Sequence, residues 1–197
     1  LFFVLFCFLV LVNGSNFIDG NNGLSIGYYL IIFIILNLLI NNNVINYNSD
    51  LVFNFIIFLG ILLIFNLFNF FYLGDNGVYL ISIFVGYILI DLINQNIGLS
   101  PYFIAVLLWY PCFELLFSMI RKFKYKLSPM KPDVNHLHQL LFKSLNKKLG
   151  FLINYNNSLT GIILNIYNLT ILFISSLKPY STNFQINLIF LNVLNYL

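Results

Sequence analysis

Apolar residues run along this chain in seven stretches, at 1–12, 25–40, 51–71, 78–94, 102–120, 159–177 and 185–197. A helix needs about 20 mostly apolar residues to cross a bilayer, so the pattern predicts transmembrane helices, the first and last of them shortened. The breaks NNNVINYNSD (41–50), LGDNG (73–77), NQNIGLSP (94–101) and KPYSTN (178–183) are polar or carry Gly and Pro. Each reads as a turn at a membrane surface. The predicted fold class is an all-α, polytopic transmembrane helix bundle. It forms a single integral membrane domain over 1–197, with motif loops at about 13–24, 72–77 and 121–158.

Composition sharpens this expectation. Hydrophobic residues make up 60% of the 197 and charged ones 8%, with a mean hydropathy of +0.92, which excludes a soluble globular domain. Ala occurs once, at Ala105, while Asn and Phe abound. Part of that usage reflects an AT-rich base composition, so a single Asn weighs little. Cys7 and Cys112 lie in separate apolar runs without metal-ligand spacing and read as small core hydrophobes. The chain starts Leu-Phe-Phe with neither Met nor a basic region. The first segment is therefore expected to be the end of a longer span, and the chain a fragment.

Charge sets the orientation. Eight of the nine cations, Arg121 to Lys148, fall in the long loop after the fifth segment, which makes that loop cytoplasmic. Counting back two spans at a time puts LGDNG on the same side, and two more puts NGSNFIDGNNGL (13–24) there. Asp50 and Asp91 fall on the opposite side.

Three polar clusters thus share one surface, and each has a plain reading beside a chemical one. Asn13, Asn16 and Asp19 recur every three residues, which on a helix makes one polar face of roughly 120°; the plain reading is a helix end with a Gly-rich turn. Asp75, in YLGDNGVYL, is either a solvated turn residue or a carboxylate for a hard cation that carries phosphate oxygens. In RKFKYKLSPMKPDVNHLHQLLF, Asp133 or Asn135 can cap a helix whose first turn holds His136 and favours anions. His136 and His138, two apart, reach one ligand only if this stretch is not yet regular helix. The cations Arg121, Lys122, Lys124, Lys126 and Lys131 read more simply as an anchor on anionic lipid heads. Glu114, about two turns inside the fifth span, should face the bundle interior, bracing a polar site or pairing locally.

Together, NGSNFIDGNNGL, YLGDNG and PDVNHLHQL resemble, in order and sidedness, the polyprenyl-phosphate N-acetylhexosamine-1-phosphate transferases. The stretch YPCFELLFSMIRK is closer to their WecA-like branch than to the phospho-MurNAc-pentapeptide transferases. The resemblance covers residues 1 to about 150; the last two spans carry no motif. It implies transfer of a sugar-1-phosphate, GlcNAc-1-phosphate or a related N-acetylhexosamine, from a UDP-sugar to undecaprenyl phosphate with release of UMP. That reaction is a first membrane step of cell-envelope polysaccharide synthesis, of the cell-wall, lipopolysaccharide or O-antigen kind.

The resemblance also implies roles. Asp75 would bind Mg2+, or Mn2+ in its place, with Asn16 as a second oxygen donor. Asn13 and Asp19 would orient the sugar nucleotide, Asn22 and Tyr72 would hold the uracil, and His136 and His138 would contact phosphate, with Asp19, His136 and His138 forming the catalytic set. The implied partners are a UDP-N-acetylhexosamine, polyprenyl phosphate and the lipid bilayer of a bacterial inner membrane, with the site on the cytoplasmic face. A homodimer is compatible with this, and a nucleic acid partner is not expected.

Two departures stand out. Asn22 replaces the second Asp of the family's D-G-x-D-G, a position where an amide can still hydrogen-bond an imide edge. The family's earlier Asp-Asp pair is absent from these residues, so the fragment alone is expected to be inactive. A transporter, whose ionisable groups would line a path through the membrane, and an inactive truncated relative are the competing readings.

Overall fold

The structure is a computed structural model and describes residues 2–126, 128, 136–149 and 153–196. Among the described residues it is all helix: α1 (Phe2–Ile18), α2 (Leu24–Asn41), α3 (Ser49–Leu67), α4 (Gly74–Gln95), α5 (Pro101–Leu107), α6 (Trp109–Lys124), α7 (Leu137–Leu149), α8 (Ile153–Ser176) and α9 (Thr182–Tyr196). Helices α2, α3, α4 and α8 are each long and apolar enough to cross a membrane, and the bent pair α5–α6 brings the candidate spans to five. This fits a multi-pass membrane protein.

Helix α2 is the centre of the bundle. About two-thirds of it (67%) is buried inside the protein, against 17% for α3, whose Phe53, Ile57, Ile61 and Ile64 face outward. α2 packs on α3 and α8, α1 on α4 and α6, α7 on α8, and α5 on α9.

Asn residues stop two of these helices. At the end of α3, Asn69 adopts a left-handed conformation (φ 63°), Phe70 N–H donates to Phe65 O at 2.9 Å and Asn69 N–H to Asn66 O at 3.1 Å. This is a Schellman stop, with Asn where Gly is commoner. It ends the span at Leu67 and not at 71, where hydropathy alone carries it. Asn43 (φ 55°) closes α2 in the same way, with Val44 N–H on Leu39 O at 2.9 Å.

The expected span 102–120 is two helices bent by 77° about Leu108. Pro111 has no N–H to offer the carbonyl four residues back, and its ring clashes there. That carbonyl, on Leu107, instead accepts the buried hydroxyl of Tyr28 at 2.8 Å. A hydroxyl thus satisfies a backbone group freed where water is scarce. LGDNG also differs from the expected turn: Gly74 begins α4, and Asp75 lies in its first turn, where the helix dipole favours a carboxylate.

The loops gather at two ends. At one, Asn96 bridges to Asn46 (Oδ1 to Asn46 N, 2.7 Å; Nδ2 to Asn46 O, 2.9 Å), Tyr180 donates to Val44 O at 2.7 Å and Ser100 N–H to Pro179 O at 3.2 Å. Asp91, with Tyr47 at 3.1 Å, is at this end too. The loops around 19–23 and 68–73, the start of α7 and the start of α8 form the other.

Candidate functional site

A cavity of about 350 Å³ opens at that second end, lined by Asn16, Asp19, Asn22, Tyr72 and Asp75 together with Gly20, Asn21, Asn66, Leu73 and Gly74. Five of the eight residues expected at a site therefore line one space. They come from the end of α1, the loop after it and the α3–α4 connection.

Local structure explains each placement. Asn16, in the last turns of α1, gives its amide N–H to the Tyr79 hydroxyl of α4 at 3.3 Å, which leaves its oxygen as the atom with acceptor capacity. Asp19 follows the helix, and the Ser25 hydroxyl donates to its Oδ1. Burial pushes the Asp19 carboxyl up to about 6; the Ser25 hydrogen bond opposes this, and the nearby Asp75 carboxylate adds to it. Asn22 donates to Asn69 Oδ1 at 2.5 Å, and the Tyr72 hydroxyl approaches the same oxygen at 3.4 Å.

Asn13 is placed elsewhere. It is exposed, its amide turns back onto Leu9 O of its own helix at 2.7 Å, and it does not line the cavity. The buried face of α1 is that of Leu11, Gly14, Ser15 and Ile18, and Asn13 lies outside it.

Neither histidine is among the residues that line the cavity; His138, in α7, stands beside its Gly20 edge. His136 lies one residue before the helix, not in its first turn, so the stretch is irregular enough for both rings to turn the same way. They stack with centroids 5.6 Å apart and planes 8° from parallel. Asp133, Asn135 and Lys131 fall outside the described residues. His138 meets the loop at Gly20: a Cβ there would stand 2.6 Å from its Nε2, so only glycine lets the imidazole come this near. His136 packs on Phe17 with centroids 5.0 Å apart.

Glu114 is fully buried and holds the start of α7 with both oxygens, Oε2 on His136 Nδ1 at 2.8 Å and Oε1 accepting Leu137 N–H at 3.1 Å. It faces the bundle interior, as expected, and pairs there with the start of α7. The contact through Nδ1 fixes the orientation of the His136 ring.

Burial pulls His138 down to about 4, the Glu114 charge raises it and His136 lowers it, so His138 is neutral at pH 7. It can accept or donate one hydrogen bond there but offers no positive charge. The signs for Asp19 and His138 oppose one another. The depressed His138 pKa gives stability that is complete above about 6.5 and is lost as pH falls towards 4. The raised Asp19 pKa gives stability that is complete below about 3.8 and is lost as pH rises through 6. Acidifying detergent-solubilised, EDTA-treated protein from pH 7 to pH 5 should therefore lower the Tm of wild type by roughly a few degrees more than that of His138→Gln. It should lower the Tm of Asp19→Asn by more than that of wild type. Thermal melts at the two pH values check both differences.

Sequence reasoning missed Ser25, Asn66 and Asn69. Asn66 accepts Gly23 N–H at 2.5 Å and donates to Phe71 O at 2.8 Å, tying both cavity loops together. Asn66 and Asn69 stand just before YLGDNG, a nearness that could have marked them in a chain with fewer Asn.

Among the described residues no group of three or more His, Cys, Asp or Glu gathers in a way that could hold a metal ion. The cavity's carboxylates are Asp19 and Asp75. With the Asn16 oxygen they make a hard, all-oxygen set, which suits Mg2+ or Mn2+ completing its shell from water and phosphate.

These features define a class: a polytopic helical membrane protein with an acid-and-amide cavity at one end of the bundle. No family model matches the chain, and no solved structure matches it. The chain is similar to the undecaprenyl-phosphate alpha-N-acetylglucosaminyl 1-phosphate transferase of Thermotoga maritima, 27% identical over 159 residues that cover 80% of this chain and 48% of that protein. The chain thus spans about half the length of the curated relative it matches. The relationship supports the WecA-like family, the one its three motifs resemble.

Proposed function

We propose that this protein transfers GlcNAc-1-phosphate, or a related N-acetylhexosamine-1-phosphate, from a UDP-sugar to undecaprenyl phosphate and releases UMP. The observation that carries this reading is the meeting of Asn16, Asp19, Asn22, Tyr72 and Asp75 in one cavity, with His138 against its Gly20 edge. The Thermotoga relative's name gives the same reaction type.

In the reaction an oxygen of undecaprenyl phosphate bonds to the β-phosphorus of the UDP-sugar. The bond from that phosphorus to the bridging oxygen breaks, and UMP leaves with the electron pair. Such a transfer needs positioning and neutralised charge more than covalent chemistry. Asp75 and Asn16 would hold Mg2+ or Mn2+, which when bound supplies positive charge to the diphosphate. Asn22 and Tyr72 would take the uracil end, and Asp19 the sugar nucleotide. His136, fixed by Glu114, and neutral His138 would hydrogen-bond phosphate oxygens.

The acceptor has a path as well. A groove of about 1000 Å³ runs beside the site, lined by Phe17, Leu115, Met119, Ile120 and Phe123 with Lys122, Lys124 and Lys126. Phe17 also touches His136, so an isoprenoid tail in this groove would bring its phosphate to the histidines. The eight cations between Arg121 and Lys148, on the segments around those histidines, support a cytoplasmic-face site in a bacterial inner membrane.

Membranes containing the full-length protein, given labelled UDP-GlcNAc, undecaprenyl phosphate and Mg2+, should form labelled lipid and release UMP in equal amounts. Absence of lipid-linked product from any UDP-N-acetylhexosamine would overturn the proposal.

A further inference from the structure

Helix α8 carries none of the motifs, yet one of its faces grips the loop that bears Asn22. Asn157, Gly161 and Asn165 lie four residues apart and so share a stripe. They meet three successive residues of the loop. Asn21 Nδ2 donates to Asn157 Oδ1 at 2.5 Å, a Cβ on Gly161 would collide with the carbonyl oxygen of Asn22 and stand 3.1 Å from Leu24 N, and Asn165 Nδ2 donates to Gly23 O at 2.8 Å.

The opposite side of the loop is held by α3 and the residues after it. Asn22 Nδ2 rests on Asn69 Oδ1 at 2.5 Å, and Gly23 N–H on Asn66 Oδ1 at 2.5 Å. Gly23 itself is in the left-handed region (φ 75°), and Asn22 is only 5% exposed. The peptide between Asn22 and Gly23 therefore has little freedom to shift, and α8 is the wall behind it. Backbone contact at Gly161 sets how far the loop can retreat, while Asn165 fixes its rotation through the Gly23 carbonyl.

We propose that the Asn157–Gly161–Asn165 face of α8 is a positioning element for the nucleotide end of the cavity, setting the place of Asn22 and so the affinity for the uridine part of the donor. This rests on the transferase reading above. The stripe touches no reacting atom; it acts through the loop. Its loss should appear as weaker donor binding with unchanged chemistry, the signature of lost uniform binding.

Steady-state kinetics of the full-length protein test this, with UMP binding by the wild type measured alongside. In Gly161→Ala and in Asn165→Leu, the KM for UDP-GlcNAc should rise about tenfold, equivalent to about 1.4 kcal/mol. The kcat and the KM for undecaprenyl phosphate should stay within about twofold. Gly60→Ala, a helix glycine of α3 with nothing within 4 Å of a built Cβ, is the control and should leave both KM values unchanged. If Gly161→Ala fails to insert, Asn165→Leu decides alone. A wild-type donor KM in the variants would overturn the inference, and so would a parallel loss of kcat and of affinity for both substrates, which marks general damage. A wild type that neither turns over UDP-GlcNAc nor binds UMP would instead remove the functional reading, and this inference with it.

Discussion

Asp75→Asn in the full-length protein is expected to lower turnover at least about 100-fold, the scale of losing one key electrostatic group, while leaving the protein inserted and folded. The separation of the two effects follows from where Asp75 is. It lies in the first turn of α4 and is exposed, so an amide of the same shape forfeits only the dipole interaction, about 0.3–1 kcal/mol. What the substitution does remove is one of the two carboxylates that line the cavity, the one proposed to hold the cation. Asp19 provides an internal check. Asp75 contributes to holding its carboxyl near 6, so in the variant Asp19 should titrate lower, though still above the ordinary range because burial is the larger cause. Turnover, Mn2+ titration and thermal melts on the same preparation resolve these effects. Near wild-type turnover would sink the assignment of Asp75 to the cation.

The contrast between Asp75 and the α8 stripe shows what a sequence of this kind exposes. Charged residues are scarce enough here that an Asp between two glycines, or a pair of histidines in a basic loop, stands out against the apolar background. Sidedness then groups them, because alternating spans leave a residue only two ends to occupy. Asn has no such contrast. The bonds of Asn66, Asn69, Asn157 and Asn165 to the loop at 21–23 are long-range pairings across as many as 142 residues, and periodicity within one helix holds no trace of its partner. Hydropathy likewise locates spans but not their breaks: 102–120 is continuous on that scale, although Pro111 was visible inside it. Pro111 breaks the span because Tyr28, from the helix at the bundle's centre, is placed to take the freed Leu107 carbonyl. Asn13 shows the opposite limit. Its three-residue spacing to Asn16 groups it with the cavity residues, yet it stands nearly a turn further from the cavity, where its amide satisfies its own helix.

Glu114→Ala should be the most destabilising single change at the site, by about 3 kcal/mol. Both Glu114 oxygens are committed inside the protein, to His136 and to the Leu137 backbone N–H. Truncation leaves the buried imidazole without its partner and an amide at the start of α7 without its acceptor, each a cost of about 1–3 kcal/mol. The apparent Tm should drop by roughly 6–12 °C, given about 2–4 °C per kcal/mol for a chain of this size. Glu114→Gln separates packing from pairing. It fills the same space and keeps one acceptor oxygen, so it should recover about half of the lost stability. It cannot accept from His136 and Leu137 through two separate oxygens, and an amide NH2 facing His136 Nδ1 favours the tautomer with its proton on Nε2. Nitrogen-15 NMR of the labelled histidines reads that exchange directly: a proton on Nδ1 of His136 in the wild type, and on Nε2 in the Gln variant. If His136 contacts phosphate, the Gln variant should lose turnover well beyond its loss of Tm, because the carboxylate that anchors the ring through Nδ1 and holds it in one orientation is gone. A variant that melts early yet turns over normally would confine Glu114 to holding the start of α7 in place.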